Sequence, residues 1–179
     1  PTLLWPAGDF FSGKYDEQKR RHSKYDNSAY TLEPNVKESP GALRDLQTIA
    51  WVAHRHFGTH SLEDLVGQTF LTDIELEKLQ SCSLFLWKVR MGLHVISGRR
   101  EDRLTFDLQP KLALALGYAD GDNNLAVEHF MQDYFRCAIL VSRLNDMLLQ
   151  LLRETIFPDT NLPCVINDSF QSRGNYLET

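Results

Sequence analysis

Residues 124–158 read NLAVEHFMQDYFRCAILVSRLNDMLLQLLRETIFP, with Val127, Phe130, Met131, Tyr134, Ala138, Val141, Leu144, Leu148, Leu151 and Leu152 recurring at helical steps. That period gives one apolar face, and Pro158 closes the run. Unbroken, such a helix is on the order of 50 Å long at 1.5 Å per residue. A second long helix is expected from about Thr72 to Ser97, where Leu76, Leu79, Leu86, Val89, Leu93 and Ile96 keep the period. Thr72 and Glu75 have the spacing of a capping box, and Gly98 ends the pattern.

Shorter pieces fill the rest. Phe10 to about Tyr25 is a charged helix with few apolar anchors, and SLEDLVG and Pro110–Leu116 are short helices. Between the first helix and the next lies DNSAYTLEPNVKESPG, an extended loop or short strand broken by prolines. Helix then resumes at Pro40 and carries Leu43, Leu46, Ile49, Ala50, Ala53 and Phe57 on one face up to Gly58. The fold class expected is all-α: a helical bundle with two long helices, several short ones and an extended N-terminal loop before the second helix. Residues 1–157 make the helical domain. The turn-rich segment 158–179 is expected to be a linker or edge leading to a following domain.

Composition narrows the function. The 179 residues are 42% hydrophobic with a net charge of −5, which suits one globular domain and argues against a surface given over to nucleic acid. Local basic runs, KRRHSK and GRREDR, remain able to bind phosphates. Cys82, Cys137 and Cys164 are widely spaced and odd in number, as expected of free thiols in a reducing cytoplasm. No apolar run reaches membrane length. The sequence opens without Met, so a piece of a longer protein is expected.

The candidate chemistry centres on LEPNVKESPGALRD, residues 32–45. Read locally, Ser39 caps a helix, Pro40 takes its first position, Gly41 permits close approach, and the amides of Gly41, Ala42 and Leu43 are free to donate to an anion. Lys37 and Arg44 flank the turn as a phosphate clamp. The plain alternative is a capped helix with exposed charges, which the local sequence favours.

Other motifs read as structural. His54, His56 and His60 lack a completing carboxylate or Cys for a metal site. His94 fits a hydrogen-bonded, half-buried imidazole, and SGRREDRLTFDLQ fits a salt-bridged connector. The chain has no phosphate-loop pattern and no nucleophile elbow. No catalytic residue and no metal ligand is therefore assigned.

The runs YTLEPNVKESPGALRDLQTIAWVAHRHFG, FLWKVRMGLHVISGRREDRLTFDLQ and LAVEHFMQDYFRCAILVSRLNDMLLQ resemble, in order and spacing, the helical region of bacterial PII uridylyltransferase/uridylyl-removing enzymes. The resemblance covers almost the whole chain. It implies a domain between a nucleotidyltransferase domain and an HD-type hydrolase domain of one cytoplasmic protein of nitrogen regulation. It also implies transfer of UMP from UTP to a tyrosine of a PII signalling protein, with Mg²⁺ bound by the parent enzyme and not by this segment alone.

By the same resemblance Lys37 and Arg44 are triphosphate contacts and Gly41 is the close-approach position. Asp45 orients one of the cations, and Glu33 stands just before this signature. Ala42 departs from the family's usual second glycine. A non-catalytic coupling or PII-binding module, or the equivalent domain of a glutamine synthetase adenylyltransferase, are the alternatives. No nucleic acid or membrane partner is implied.

Overall fold

A computed structural model describes residues 5–59, 61–121 and 124–158, together with the backbone of three strands at 164–167, 170–173 and 176–178. The described residues form α1 (Ala7–His22), followed by a 3₁₀ turn (Ser23–Tyr25), then α2 (Leu43–Phe57), α3 (Asp64–Gly67), α4 (Asp73–Ser97), α5 (Gln109–Ala115) and α6 (Ala126–Ile156). The body is the all-α bundle the periodicity implies, built on two long helices. The 31 residues of α6 span about 46 Å. Thr72 and Glu75 form the expected reciprocal capping box at the start of α4.

The apolar faces of α2, α4, α5 and α6 close on one main core. Phe130, Tyr134, Val141 and Leu148 of α6 meet Leu43 and Ile49 of α2, Leu86 and Leu93 of α4, and Leu112 of α5, all essentially out of water. Each large apolar side chain so placed contributes about 1.5–3 kcal/mol. A smaller cluster of Phe11, Val52, Leu149 and Leu152 fastens α1 to α2 and α6. Cys82 and Cys137 are free thiols within the helices, with the Cys137 Sγ donating to the Cys82 carbonyl at 3.6 Å. The Cys164 side chain lies outside the described residues.

The C-terminal segment holds what the period alone did not give. Strands β1 (Cys164–Asn167), β2 (Phe170–Arg173) and β3 (Tyr176–Glu178) pair antiparallel in chain order. Ser172 pairs with Cys164 on one side and Leu177 on the other.

Helix does not resume at Pro40: Ala42 is extended, with φ −95° and ψ −177°, and the first helical residue is Leu43. Gly41 has φ +75°, and the Ala42 N–H donates to the Ser39 carbonyl at 3.0 Å. Pro-Gly at the two central positions of such a reversal is the signature of a type II turn, not of a helix start.

Close approach at Gly41 is real, and the approaching group is α6. A Cβ built on Gly41 would lie 1.9 Å from the Ala138 carbonyl oxygen. Left-handed backbone costs a non-glycine residue about 1–2 kcal/mol, and an overpacked core about 1–3 kcal/mol more. Gly41→Ala is therefore expected to destabilise the chain by about 2–5 kcal/mol. A urea midpoint within experimental error of wild type would show that α6 does not need this glycine.

Candidate functional site

The segment before α2 is a self-contained knot of hydrogen bonds. Asn35 folds its side chain forward, so that Oδ1 accepts the N–H groups of Lys37 and Glu38 at 3.0 and 2.8 Å. The Ser39 Oγ accepts the Asn35 N–H at 2.9 Å instead of capping a helix. The Leu43 N–H donates to the Val36 carbonyl and the Arg44 N–H to the Lys37 carbonyl, at 3.2 and 2.8 Å. The Gly41 N–H donates to Asp45 Oδ2 at 2.7 Å. The expectation of free amides at Gly41, Ala42 and Leu43 is thereby corrected: each already has an acceptor within the chain.

Asp45 organises this knot. It is fully buried on the first turn of α2. Its Oδ1 accepts Arg21 Nη2 at 2.8 Å, and His22 Nε2 lies 2.9 Å from Oδ1 and 3.1 Å from Oδ2. Because a carboxylate only accepts, His22 Nε2 carries a proton. Arg21 uses Nη1 on the Glu38 carbonyl at 3.0 Å, so one guanidinium holds both Asp45 and the loop. Asp45 thus orients the Arg21 guanidinium and the His22 imidazole of α1.

Arg44 points elsewhere. It lines a surface pocket of about 360 Å³ with Glu17, Arg20, Arg21 and Lys24 of α1 and its end, and Glu38 of the loop. Its guanidinium lies 5.3 Å from the centre of the Trp51 ring, with the Lys14 ammonium at 4.6 Å from the same ring. Lys37 stands beside the pocket through an ion pair with Glu38 at 3.4 Å. Glu17 is bound by Lys14 at 2.7 Å. That hydrogen bond holds its carboxyl below the ordinary value against the opposing effect of burial, with help from the charges of Lys14, Arg44 and Arg21.

The four positions singled out in the sequence therefore separate into layers. Arg44 is on the pocket and Lys37 at its edge, while Gly41 and Asp45 are buried beneath and shape the turn. Arg20, Arg21 and Lys24 were not assigned from the sequence. Their signal was the KRRHSK run: steps of three and four put Glu17, Arg20 and Arg21 on one side of α1, and Lys24 follows in the 3₁₀ turn.

The remaining motifs are structural. Asp102 accepts Arg90 Nε at 2.7 Å and lies 3.2 Å from His94 Nε2. Burial raises its pKa, but the hydrogen bonds from Arg90 and His94 and their charges more than offset this, and the carboxyl titrates below its ordinary value. Glu33 pairs with Arg103 at 3.0 Å and accepts the Phe106 N–H at 2.9 Å, so Arg103 is turned to Glu33 and away from Lys37. His60 lies outside the described residues. Among the described residues no group of three His, Cys, Asp or Glu side chains is placed to hold a metal ion, and no helix is long and apolar enough to cross a membrane.

Residues 9–149 match the model of the family described as GlnD PII-uridylyltransferase. The chain belongs to the PII-uridylyltransferase family. The bifunctional uridylyltransferase/uridylyl-removing enzyme of Azotobacter vinelandii strain DJ is 50% identical over 177 residues, which is 98% of this chain and 20% of that protein. The enzymes of the same name from Pseudomonas syringae pv. syringae and Pseudomonas aeruginosa strain LESB58 are 49% and 48% identical, again over 98% of this chain and 20% of theirs. The chain thus spans about a fifth of the length of the curated relatives it matches. No solved structure matches it.

Within this family member the Asp45 network sets the position of α1 on α2. Removing one partner of a buried ion pair costs about 3–5 kcal/mol, because the other charge is left uncompensated. Asp45→Ala is expected to lower stability by that amount in urea denaturation. A loss below about 1 kcal/mol would mean that Arg21 and His22 are not held by this carboxylate.

Proposed function

We propose that the chain is the helical nucleotide- and substrate-facing domain of a PII uridylyltransferase. The proposed reaction transfers UMP from UTP to a tyrosine hydroxyl of a PII nitrogen-signalling protein in the cytoplasm, and the same enzyme removes it hydrolytically. The observation that carries this reading is the placement of Arg44: rooted in the first turn of α2, it lines a cationic pocket, in the PII-uridylyltransferase family. The matched names favour uridylyl over adenylyl transfer, so the glutamine synthetase enzyme is not preferred.

In the transfer, the tyrosine oxygen attacks the α-phosphorus of UTP, loses its proton, and displaces pyrophosphate as the bond from α-phosphorus to the bridging oxygen breaks. Negative charge collects on the departing diphosphate. A guanidinium beside it stabilises that charge and fixes its orientation through paired N–H donors. Arg44 is assigned this contact, with Lys37 as a second cation at the edge of the pocket. Gly41 and Asp45 act beneath them by holding the turn.

Mg²⁺ bound to UTP neutralises phosphate charge and aligns the triphosphate. The described residues offer no ligand set for it, and no step is assigned to it on this chain. The nucleotidyltransferase and HD-type domains of the parent protein are proposed to supply the metal ligands and both catalytic centres.

A coupling role between domains is the second reading, favoured by α4. Leu84, Trp87, Met91 and Val95 lie at steps of three and four and are 58, 42, 65 and 77% exposed, a stripe suited to a packed neighbour.

In the full-length enzyme, Arg44→Ala is expected to lower kcat/KM for UTP by about 10- to 100-fold, the worth of a charged hydrogen bond of about 1.5–3 kcal/mol. Lys37→Ala is expected to have a smaller effect in the same direction. Wild-type kcat/KM for UTP in both variants would favour the coupling reading.

A further inference from the structure

The pocket that Arg44 enters has a second wall, α1, to which no role has been given. Its lining carries Arg20, Arg21, Lys24 and Arg44 against the carboxylates of Glu17 and Glu38. Both carboxylates are already engaged by other cations: Glu17 by Lys14 at 2.7 Å and Glu38 by Lys37 at 3.4 Å. Arg20, Lys24 and Arg44 have no carboxylate within ion-pair distance among the described residues. On a chain with net charge −5, this is a local excess of like charge, and like charges gathered at one cavity repel unless an anion joins them.

Arg21 adds an independent observation. The residue is only 7% exposed. Its two terminal nitrogens are used on Asp45 and on the Glu38 carbonyl, while its buried Nε has no partner among the described residues. An orphaned guanidinium N–H is costly in isolation and is commonly satisfied by a ligand or an ordered water. Asp45 and Glu38 hold this side chain in place before any ligand arrives.

We propose that α1 supplies the second half of an oligophosphate site, in which Arg20, Arg21 and Lys24 face Arg44 and together bind a diphosphate group. The diphosphate is either the β and γ phosphates of a nucleoside triphosphate or free pyrophosphate. Guanidinium forks match phosphate oxygens in pairs, and a compact diphosphate carries enough charge to offset the uncompensated cations. A long polyanion fits less well, because Glu17 and Glu38 border the cavity and repel an extended phosphate track. The inference takes one of its cations, Arg44, from the function proposed above; the α1 contribution is separate.

The test uses the full-length enzyme, with inorganic pyrophosphate as an inhibitor of UTP-dependent uridylylation. In the doubly substituted Arg20→Ala/Lys24→Ala enzyme the inhibition constant for pyrophosphate is expected to rise at least about tenfold, with the thermal unfolding midpoint kept near wild type. Arg20→Lys/Lys24→Arg is expected to recover most of the loss. A parallel rise in KM for UTP assigns the site to the nucleotide's phosphates, and a rise for pyrophosphate alone assigns it to the free diphosphate.

Arg44→Ala is measured alongside. If it weakens pyrophosphate inhibition while the α1 double variant does not, α1 has no phosphate role and the inference fails while the Arg44 reading stands. If only the α1 variant responds, the α1 site holds and the Arg44 reading fails. No response in either overturns both.

Discussion

The carboxylate of Asp45 is the constraint on which the candidate site rests. Buried and acceptor-only, it gathers Arg21 and His22 of α1 and the amide of Gly41 around its two oxygens. A charge so placed is tolerable only with its partners in position, so it fixes the approach of α1 to α2 and the conformation of the turn together. Gly41 then lets the same turn lie against the α6 backbone at Ala138. Three helices are registered at one point, and the side chains above that point, Arg44 among them, inherit their positions from it.

The division of labour within LEPNVKESPGALRD follows from this. A phosphate cradle made of backbone amides needs unpaired N–H groups. Here the amides of residues 41 to 45 are spent on Asp45, Ser39, Val36, Lys37 and Ala42. What remains available to an anion is side-chain charge, offered from a rigid base. The turn is scaffolding, and any phosphate chemistry of this chain lies in the arginines and lysines that the scaffold presents.

Much of the bundle was legible in the sequence because long amphipathic helices announce themselves. The steps from Val127 to Leu152 and the Thr72–Glu75 capping box mark α6 and α4 without help from the rest of the chain. Pro40-Gly41 was harder, since Pro suits both the first helical position and the second position of a type II turn. The choice between them is made by α6 and by the carbonyls of Val36 and Lys37, which no local pattern reveals. The ion pair of Arg21 with Asp45, 24 residues apart, was invisible for the same reason. KRRHSK showed as a basic run, but which of its charges meet Arg44 depends on how α1 docks. The three short strands after residue 163 were hidden because they are too short to show a firm period among turn residues.

The most direct measurement is a structure of the full-length uridylyltransferase with a UTP analogue that cannot be cleaved between the α and β phosphates. Phosphate oxygens are expected within hydrogen-bond distance of the Arg44 guanidinium and of the α1 cations facing it, with the 41–45 amides still bonded inside the chain. A triphosphate bound by other domains alone, with the Arg44 pocket open to solvent, would contradict it.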